Sequence, residues 1–216
     1  MKPAAFLFDL DGTLIASELP WARAMSAWLA DRGQSATVEQ LAPMISGRSW
    51  RDIDAVLHAT FPGLGPSTPD EDALTLHPYY DRQVADPSVL VVPSAVAFYR
   101  KAAEVAPCAV VSGSPRADVQ LMIGVCGLTD VTQFVLGCED YAHGKPAPDG
   151  YLAAAERLGV PPAECVVVED AEPGVKAACA AGMRVIGARG PAMVRQNLEG
   201  CTWVVDDLSE FNLARI

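Results

Sequence analysis

Residues 6–14 read FLFDLDGTL. An apolar run ends here in two aspartates one residue apart, Asp9 and Asp11, followed by Gly-Thr. We expect a buried strand over residues 4–8 that places Asp9 at its C-terminal tip, where open α/β sheets bind their ligands. Two carboxylates this close stay ionised together only when a positive charge, usually a metal ion, lies between them. The alternative interpretation is a β-turn in which Asp and Gly only satisfy turn geometry.

Three later segments also end in chemically active residues. Residues 109–114 read AVVSGS, residues 144–149 read GKPAPD, and residues 166–174 read VVVEDAEPG. In this order, and together with the first segment, they resemble the four motifs of the haloacid dehalogenase-like hydrolases. The chain is therefore identified as a member of that superfamily, since four ordered motifs are much more specific than any one of them.

The remaining pattern predicts an α/β protein with an insertion. Beyond residue 93, helices alternate with short apolar strands at 107–112, 134–136, 165–168 and 183–187. This alternation predicts a three-layer, Rossmann-like core with a parallel sheet. Four helical stretches precede it, at about 21–33, 37–45, 50–59 and 70–85. We therefore expect the core over residues 1–15 and 90–216 and a four-helix cap over residues 16–89, where the resemblance places the cap of one large branch.

Composition limits the class of protein. The chain has 216 residues, 50% of them hydrophobic, and a net charge of −11. This acidity, without a basic stripe, argues against nucleic-acid binding. No apolar run approaches the roughly 20 residues that cross a bilayer, and the segment before Asp9 is too short for a signal peptide. Six cysteines without C-x-x-C pairs predict reduced, mostly buried thiols, so we expect a cytoplasmic protein.

The resemblance implies hydrolysis of a small-molecule phosphate ester with Mg²⁺ as cofactor. Asp9 would attack phosphorus and form an aspartyl-phosphate, while Asp11 would donate a proton to the leaving oxygen and later accept one from water. The backbone carbonyl of Asp11 and the carboxylates of Asp9, Asp170 and Glu169 would hold the Mg²⁺ ion. The alternative for Glu169 is that it only supports the other ligands.

Three further residues are expected to bind the phosphoryl group. Ser112 and the N–H of Gly113 can donate hydrogen bonds to its oxygens, and Lys145 can neutralise the charge that Asp9 and the phosphate share. The alternatives are a turn residue at a strand end for Ser112 and a solvated surface lysine for Lys145.

Residue types near the motifs separate the possible reactions. Asp11 favours phosphoryl transfer over dehalogenation, because displacement of halide needs neither a proton donor nor Mg²⁺. Phosphomutases of the β-phosphoglucomutase type resemble this chain, but they carry a histidine at the position of Trp21 and an acidic residue at that of Ala16. We therefore expect a phosphatase, with a phosphomutase as the alternative.

The three histidines lie elsewhere, at His58, His77 and His143. None of them is expected to have a metal-binding partner.

The cap is expected to supply specificity. Residues 44–51 read MISGRSWR and resemble the specificity loop of this branch, so Arg48 would reach a second anionic or hydroxylated group of the substrate. The alternative is a solvated arginine. Residues 45–57 also resemble sugar and polyol phosphatases, which implies a small phosphorylated sugar or polyol as substrate, with phosphoglycolate as an alternative.

Trp21 and Trp28 have helical spacing, which is typical of a packed core. We expect a monomer or a weak homodimer.

Overall fold

A six-stranded sheet forms the centre of the core. A computed structural model describes residues 2–191 and 193–216 of the chain. Its strands are β1 (Ala5–Phe8), β2 (Cys108–Val111), β3 (Thr132–Leu136), β4 (Cys165–Glu169), β5 (Arg184–Ala188) and β6 (Trp203–Val205). All neighbouring strands are parallel, in the order β3-β2-β1-β4-β5-β6. The predicted parallel α/β core is confirmed.

The two edge strands differ from the sequence prediction. β6 was not predicted, because a run of only three apolar residues at a half-exposed edge is too short to mark a strand. β3 begins at Thr132 rather than at Phe134, since its first residues are polar and partly exposed. Edge strands carry a weak pattern because only one neighbour and part of one face bury them.

Helices cover both faces of the sheet. Successive side chains of a strand point to opposite faces, so Phe6 and Phe8 pack in one hydrophobic cluster while Ala5 and Leu7 pack in another. The helices on the first face are α5 (Pro93–Ala103) and α6 (Arg116–Val125). Those on the second face are α7 (Asp149–Leu158) and α8 (Glu172–Ala180). The three-layer arrangement is therefore confirmed.

The central strand brings the motifs together. β1 lies between β2 and β4, with Phe8 in register with Val110 on one side and Val168 on the other. Because the strands are parallel, their C-terminal ends meet at one edge of the sheet. The residues that follow each strand end therefore become neighbours although they lie about 100 or more positions apart in the chain.

The insertion consists of four helices with a core of their own. They are α1 (Glu18–Ala30), α2 (Val38–Ile45), α3 (Trp50–Thr60) and α4 (Pro69–Gln83). Their buried side chains, Trp28 and Leu41 among them, form a hydrophobic cluster separate from those of the sheet. Thr37 caps α2 with Gln40 in a capping box, and Thr68 caps α4 with Glu71 in the same way.

The chain passes between the sheet and the four helices at two adjacent points. The N–H of Ala16 donates to the carbonyl of Leu90 at 2.8 Å, and the N–H of Val92 donates to the carbonyl of Leu14 at 3.0 Å. These bonds fix the two crossings side by side. Their position supports a cap over residues 16–89, which we retain as an inference.

The cysteines differ in their surroundings. All six are free thiols; Cys108, Cys126 and Cys165 are buried, whereas Cys138 and Cys179 are exposed. Burial raises the pKa of Cys126 and of Cys165 to about 11, which leaves these thiols protonated and unreactive at neutral pH.

Within the described residues, no helix combines the length and the apolar composition needed to cross a membrane.

Candidate active site

Three carboxylates and one ammonium group meet at the C-terminal edge of the sheet. Asp9 follows β1, Glu169 ends β4, and Asp170 comes next; one oxygen of each lies within 4.8 Å of the others. All three are buried. Lys145 reaches them from the loop before α7, where its Nζ donates to Asp9 Oδ1 and, at 2.6 Å, to Glu169 Oε1. The structure thus brings together four residues that the sequence placed at the site.

Burial controls the electrostatics of this group. Loss of water raises the pKa of Asp9 to about 8, with Lys145 opposing the shift and Glu169 and Asp11 adding to it. Burial, followed by the charges of Glu169 and Asp9, also raises the pKa of Asp170. Burial disfavours the charge of Lys145, but Asp9 and Glu169 outweigh it and raise the pKa of the ammonium group. Lys145 is therefore positively charged at neutral pH, as predicted for a residue that neutralises negative charge.

Glu169 is held by hydrogen bonds at both oxygens. Oε1 accepts from Lys145 and, at 3.0 Å, from the hydroxyl of Tyr151. Oε2 accepts from the backbone N–H groups of Asp170 and Ala171 at 2.9 and 3.0 Å. These four donors orient the carboxylate and favour a supporting role over direct metal binding. Tyr151 was missed by the sequence reasoning, because its position inside α7 reads as a buried aromatic of the core.

Two glycines allow the close approach of the motifs. Gly12 has φ +91°, and a Cβ at this position would lie 2.2 Å from Asp170 Oδ2. A Cβ on Gly174 would lie 1.6 Å from Glu169 Oε1. Larger residues at either position would displace the acidic groups, since real contacts of a Cβ are far longer.

The carboxylate of Asp11 is turned towards hydroxyl groups. Its Oδ1 accepts from Ser17 at 2.7 Å, and its Oδ2 accepts from Ser112 at 3.1 Å and from Ser114 at 2.8 Å. Asp11 is therefore not one of the three clustered carboxylates, which agrees with the implied use of its backbone carbonyl rather than its side chain for the metal. Ser17 and Ser114 were missed, although both flank motifs that the sequence analysis singled out.

Ser112 and Gly113 lie at the end of β2, beside Asp11. The Ser112 side chain is buried, and its carbonyl accepts from the hydroxyl of Tyr141 at 2.7 Å, which fixes the strand end. Its Oγ also accepts from the N–H of Ser114 at 3.0 Å. Gly113 is exposed. Among the described residues its N–H has no hydrogen-bond partner, so this donor is available to an anion.

The residues present fit a divalent cation. Asp9 Oδ2 is buried and, among the described residues, accepts no hydrogen bond. A buried carboxylate oxygen without a partner is costly unless a positive charge compensates it. Three carboxylates against one ammonium also leave a formal charge of about −2 when all are ionised. Asp170 Oδ1 accepts from Thr13 at 3.1 Å, which orients the second candidate ligand.

The cap loop at residues 46–48 lies directly against the core. A Cβ on Gly47 would approach Ala171 Cβ at 3.0 Å and Pro173 Cδ at 3.1 Å. Ser46 Oγ accepts from Gln196 Nε2 at 2.7 Å. Arg48, the next residue, is exposed at the rim of this contact. The structure thus places Arg48 near the loop that follows Asp170, without bringing it to the cluster of carboxylates.

The tryptophans of the cap have different surroundings. Trp28 is fully buried, and its Nε1 donates to Thr75 at 3.0 Å, so it packs within the cap. Trp21 stacks on Tyr80 with ring centroids 3.9 Å apart and meets His77 edge-on at 5.5 Å. The charge of Asp11 contributes, after burial, to raising the pKa of Tyr80, so this aromatic pair lies near the catalytic motifs.

One sequence expectation about the histidines is wrong. His58 was expected to lack a metal-binding partner, but its Nε2 lies 2.6 Å from Asp72 Oδ2 and 3.9 Å from Asp54 Oδ1. Asp54 precedes His58 by four residues and shares a face of α3 with it, a spacing that the sequence already contained. His143 pairs instead with Asp149, at 2.8 Å, on the surface.

Most of the chain aligns with a family model and with named phosphatases. Residues 3–182 match the family model of the haloacid dehalogenase-like hydrolases. Fructose-1-phosphate phosphatase YqaB of Escherichia coli (strain K12) is 30% identical over 188 residues, which cover 86% of this chain and 96% of that protein. Hexitol phosphatase A of the same organism is 33% identical over 193 residues, covering 89% and 86% of the two chains.

A solved structure shows the same architecture. It is that of a HAD family hydrolase from Deinococcus radiodurans R1 with bound phosphate and sodium, with a TM-score of 0.70 and 27% identity. The match covers 98% of this chain and 92% of that one. The ordered motifs, the parallel sheet and the family match lead to one conclusion. This chain belongs to the haloacid dehalogenase-like hydrolases.

Proposed function

We propose that the protein is a Mg²⁺-dependent phosphatase that hydrolyses a small phosphorylated sugar or polyol through an aspartyl-phosphate on Asp9. The observation that carries the proposal is the junction of Asp9, Lys145, Glu169 and Asp170 at one edge of the sheet. The sugar- and polyol-phosphate phosphatases among the relatives support the substrate class.

The phosphoryl group would bind between Lys145 and the strand end of β2. Lys145 offers a buried positive charge, and the N–H of the exposed Gly113 offers a donor that makes no hydrogen bond within the described residues. Ser112 would add its hydroxyl once it exchanges Asp11 for a phosphoryl oxygen. Lys145 and the N–H of Gly113 would be in place before substrate arrives, which lowers the cost of stabilising charge in the transition state.

Two steps would then follow. In the first, the carboxylate of Asp9 bonds to phosphorus while the bond from phosphorus to the ester oxygen breaks, and Asp11 gives that oxygen a proton. In the second, Asp11 removes a proton from a water molecule that attacks phosphorus, and the bond to Asp9 breaks. Ser17 and Ser114 would keep the carboxyl group of Asp11 oriented for both transfers once Ser112 has turned to the phosphoryl group.

The carboxylates of Asp9 and Asp170 and the backbone carbonyl of Asp11 would hold the Mg²⁺ ion. When bound, the ion supplies positive charge that offsets repulsion between Asp9 and the phosphate. Glu169 would position Lys145 and the loop at Asp170, because each of its carboxylate oxygens already accepts two hydrogen bonds. We infer that Glu169 supports the ligands without joining them.

Transfer to water is favoured over transfer to a second sugar hydroxyl. Trp21 occupies the position where the phosphomutases carry a histidine, and it is stacked on Tyr80. An indole cannot accept a proton at neutral pH, so it cannot perform the proton transfer for which a histidine is suited. The phosphomutase therefore remains the second candidate.

A substrate screen tests the proposal. Purified protein with Mg²⁺ would be given hexose 1- and 6-phosphates, hexitol phosphates, phosphoglycolate and nucleotides, and released phosphate would be measured. We expect release from sugar or polyol phosphates and none when EDTA is present in excess. Interconversion of hexose phosphates without phosphate release would instead identify a phosphomutase. Preference for phosphoglycolate would change the substrate class while leaving the chemistry intact.

We also infer a cytoplasmic location. The six free thiols support it, because disulfides are typical of oxidising compartments and reduced cysteines of the cytoplasm.

A further inference from the structure

A second group of polar side chains lies inside the cap, outside the catalytic motifs. Asp54 and His58 lie one helical turn apart on α3, Asp72 lies in the first turns of α4, and Ser67 precedes α4. Asp54 and Asp72 are buried, and the His58 side chain is 24% exposed. One atom from each of the aspartates and the histidine lies within 4.8 Å of the other two.

The polar atoms of this group lie close to one another. His58 Nε2 is 2.6 Å from Asp72 Oδ2 and 3.9 Å from Asp54 Oδ1. Ser67 Oγ lies 2.8 Å from Asp72 Oδ2 and 3.1 Å from His58 Nε2. Ligand atoms of a tetrahedral zinc site are about 3.3 Å apart, given metal–ligand bonds of about 2.0–2.1 Å. The separations of 2.6 and 3.9 Å fall on either side of that value. Shifts of roughly 0.6–0.7 Å in these two side-chain separations would form the site.

The arrangement is not a hydrolytic triad. In a Ser-His-Asp triad the serine and the aspartate use opposite nitrogens of the imidazole ring. Here Ser67 and Asp72 both approach Nε2 of His58, and Ser67 also donates to Asp72. The hydroxyl therefore has no base that could remove its proton in the manner of a triad.

One buried carboxylate oxygen in the group lacks a hydrogen bond among the described residues. Asp54 Oδ1 is buried and, within residues 2–191 and 193–216, forms no hydrogen bond. The residue as a whole is only 5% exposed. Burial and the neighbouring Asp72 raise the pKa of Asp54, with His58 opposing them. A buried carboxylate oxygen that faces a second carboxylate is costly unless a cation lies between them.

We propose that Asp54, His58 and Asp72 form a second metal site, which binds a divalent transition-metal ion such as Zn²⁺ and fastens α3 to α4. Two carboxylates and one neutral imidazole match the charge of such an ion, and the mixture of nitrogen and oxygen donors suits zinc better than magnesium. Ser67 Oγ lies close enough to fill, or to hydrogen-bond, a fourth position. The site would stabilise the cap and take no part in the chemistry at Asp9.

Zinc binding to the full-length protein tests this proposal. Metal-free protein would be titrated with Zn²⁺ by calorimetry in the presence of excess Mg²⁺, which occupies the site at Asp9 and Asp170. We expect one Zn²⁺ per chain and, at saturation, a rise in Tm of about 5–10 °C. Co²⁺ should give the visible absorption bands of a tetrahedral site.

Variants assign the bound ion to the cap. His58→Ala should weaken binding at least about 100-fold, since even residues that only support a ligand affect affinity by 10- to 100-fold. His143→Ala, which removes an exposed histidine paired with Asp149, is the matched control and should bind Zn²⁺ as the unaltered protein does. Asp170→Asn should also retain the Zn²⁺, because it changes only the catalytic cluster.

The variant Asp54→Asn distinguishes loss of Zn²⁺ binding from loss of the fold. Its amide removes a buried charge whose Oδ1 has no hydrogen bond within the described residues, so the metal-free variant should be at least as stable as the unaltered protein. The Zn²⁺-dependent rise in Tm should nevertheless disappear. Absence of Zn²⁺ binding in the presence of Mg²⁺, or binding that His58→Ala leaves unchanged, would overturn the proposal.

Discussion

Asp9 is the residue on which the proposed chemistry depends. It lies at the end of the central strand, one of its oxygens accepts from Lys145, and the other is buried without a hydrogen bond in the described part of the chain. A carboxylate in this position is oriented by a cation on one side and open to an electrophile or a metal ion on the other. We therefore expect the carboxylate of Asp9 to affect catalysis more than it affects packing.

Asp9→Asn should keep the fold and lose activity. The amide is nearly the same size but cannot act as the nucleophile, so we expect kcat to fall by about 10³-fold or more. Phosphate release and circular dichroism measure the two effects. Asp70→Asn, at an exposed position in α4, is the control and should leave kcat unchanged. Activity of more than a few per cent, after deamidation has been ruled out, would contradict covalent catalysis.

Gly174, in the first turn of α8, leaves room for the carboxylate of Glu169. An added methyl group at this position would overlap Glu169 Oε1, which is buried and has no room to retreat. We expect Gly174→Ala to displace the carboxylate, disturb Lys145 and lower kcat by about 10-fold or more, in line with residues that orient catalytic groups. Phosphate release at saturating substrate measures the effect.

Gly124 offers a matched control for this substitution. It lies in α6, and a Cβ there meets nothing within 4 Å. Gly124→Ala should therefore raise stability by about 0.5–1 kcal/mol through helix propensity, with no change in kcat. If both variants lost activity equally, the loss would come from the helices and not from the contact with Glu169.

At the scale of elements, the loop between α2 and α3 connects the cap to the catalytic edge. Gly47 packs against Ala171 and Pro173, in the segment that follows Asp170, and Ser46 bonds to Gln196. The inserted helices therefore contact the core beside the proposed metal ligand Asp170. A substrate that bridges Arg48 and Lys145 would strengthen this closed arrangement.

Arg48→Ala should reduce selectivity more than chemistry. We expect kcat/KM for the preferred sugar or polyol phosphate to fall, because a charge-assisted contact is lost. The loss should correspond to about 2–4 kcal/mol of transition-state binding energy. p-Nitrophenyl phosphate should be hydrolysed almost as before, since it offers this arginine no second polar group. Arg82→Ala, at an exposed arginine of α4, is the control. Equal losses on both substrates would show that Arg48 supports the fold of the cap.

At the scale of the whole molecule, burial of the acidic cluster links stability to pH and, if the proposed metal binds there, to Mg²⁺. Burial raises the pKa of Asp9 to about 8, so the metal-free folded protein holds this proton more tightly than the unfolded chain. By linkage, its contribution to stability is present at low pH and is lost as pH rises towards about 8. A divalent cation must displace the same proton, so its affinity changes in the opposite direction.

The affinity for Mg²⁺ should therefore increase with pH. We expect the apparent Kd to fall by up to about tenfold per pH unit between roughly pH 6 and 8, with release of protons on binding. Calorimetry in buffers of different ionisation enthalpy measures both quantities. The rise in Tm caused by Mg²⁺ should likewise be larger at the higher pH. Binding that does not depend on pH and releases no protons would show that Asp9 is already ionised in the metal-free protein.

The amino-acid sequence by itself determined the family, the parallel α/β core, the four inserted helices and the central acids. These features depend on short segments: an apolar run, a helical period, or a motif of a few residues reports its own local structure. Asp9, Asp170 and Lys145 could be identified because each stands inside such a motif. β6 could not, because a three-residue strand at a half-exposed edge carries too little pattern.

Only the tertiary structure decided which groups these residues face. Asp11 and Ser112 are 101 positions apart, and they meet because β1 and β2 are neighbours in the sheet. Glu169 was open to two roles in the sequence, and its four hydrogen bonds favour the supporting one. His58 reaches Asp72 only because α3 packs beside α4. Contacts of this kind depend on strand order and helix packing, which are properties of the whole chain rather than of any segment within it.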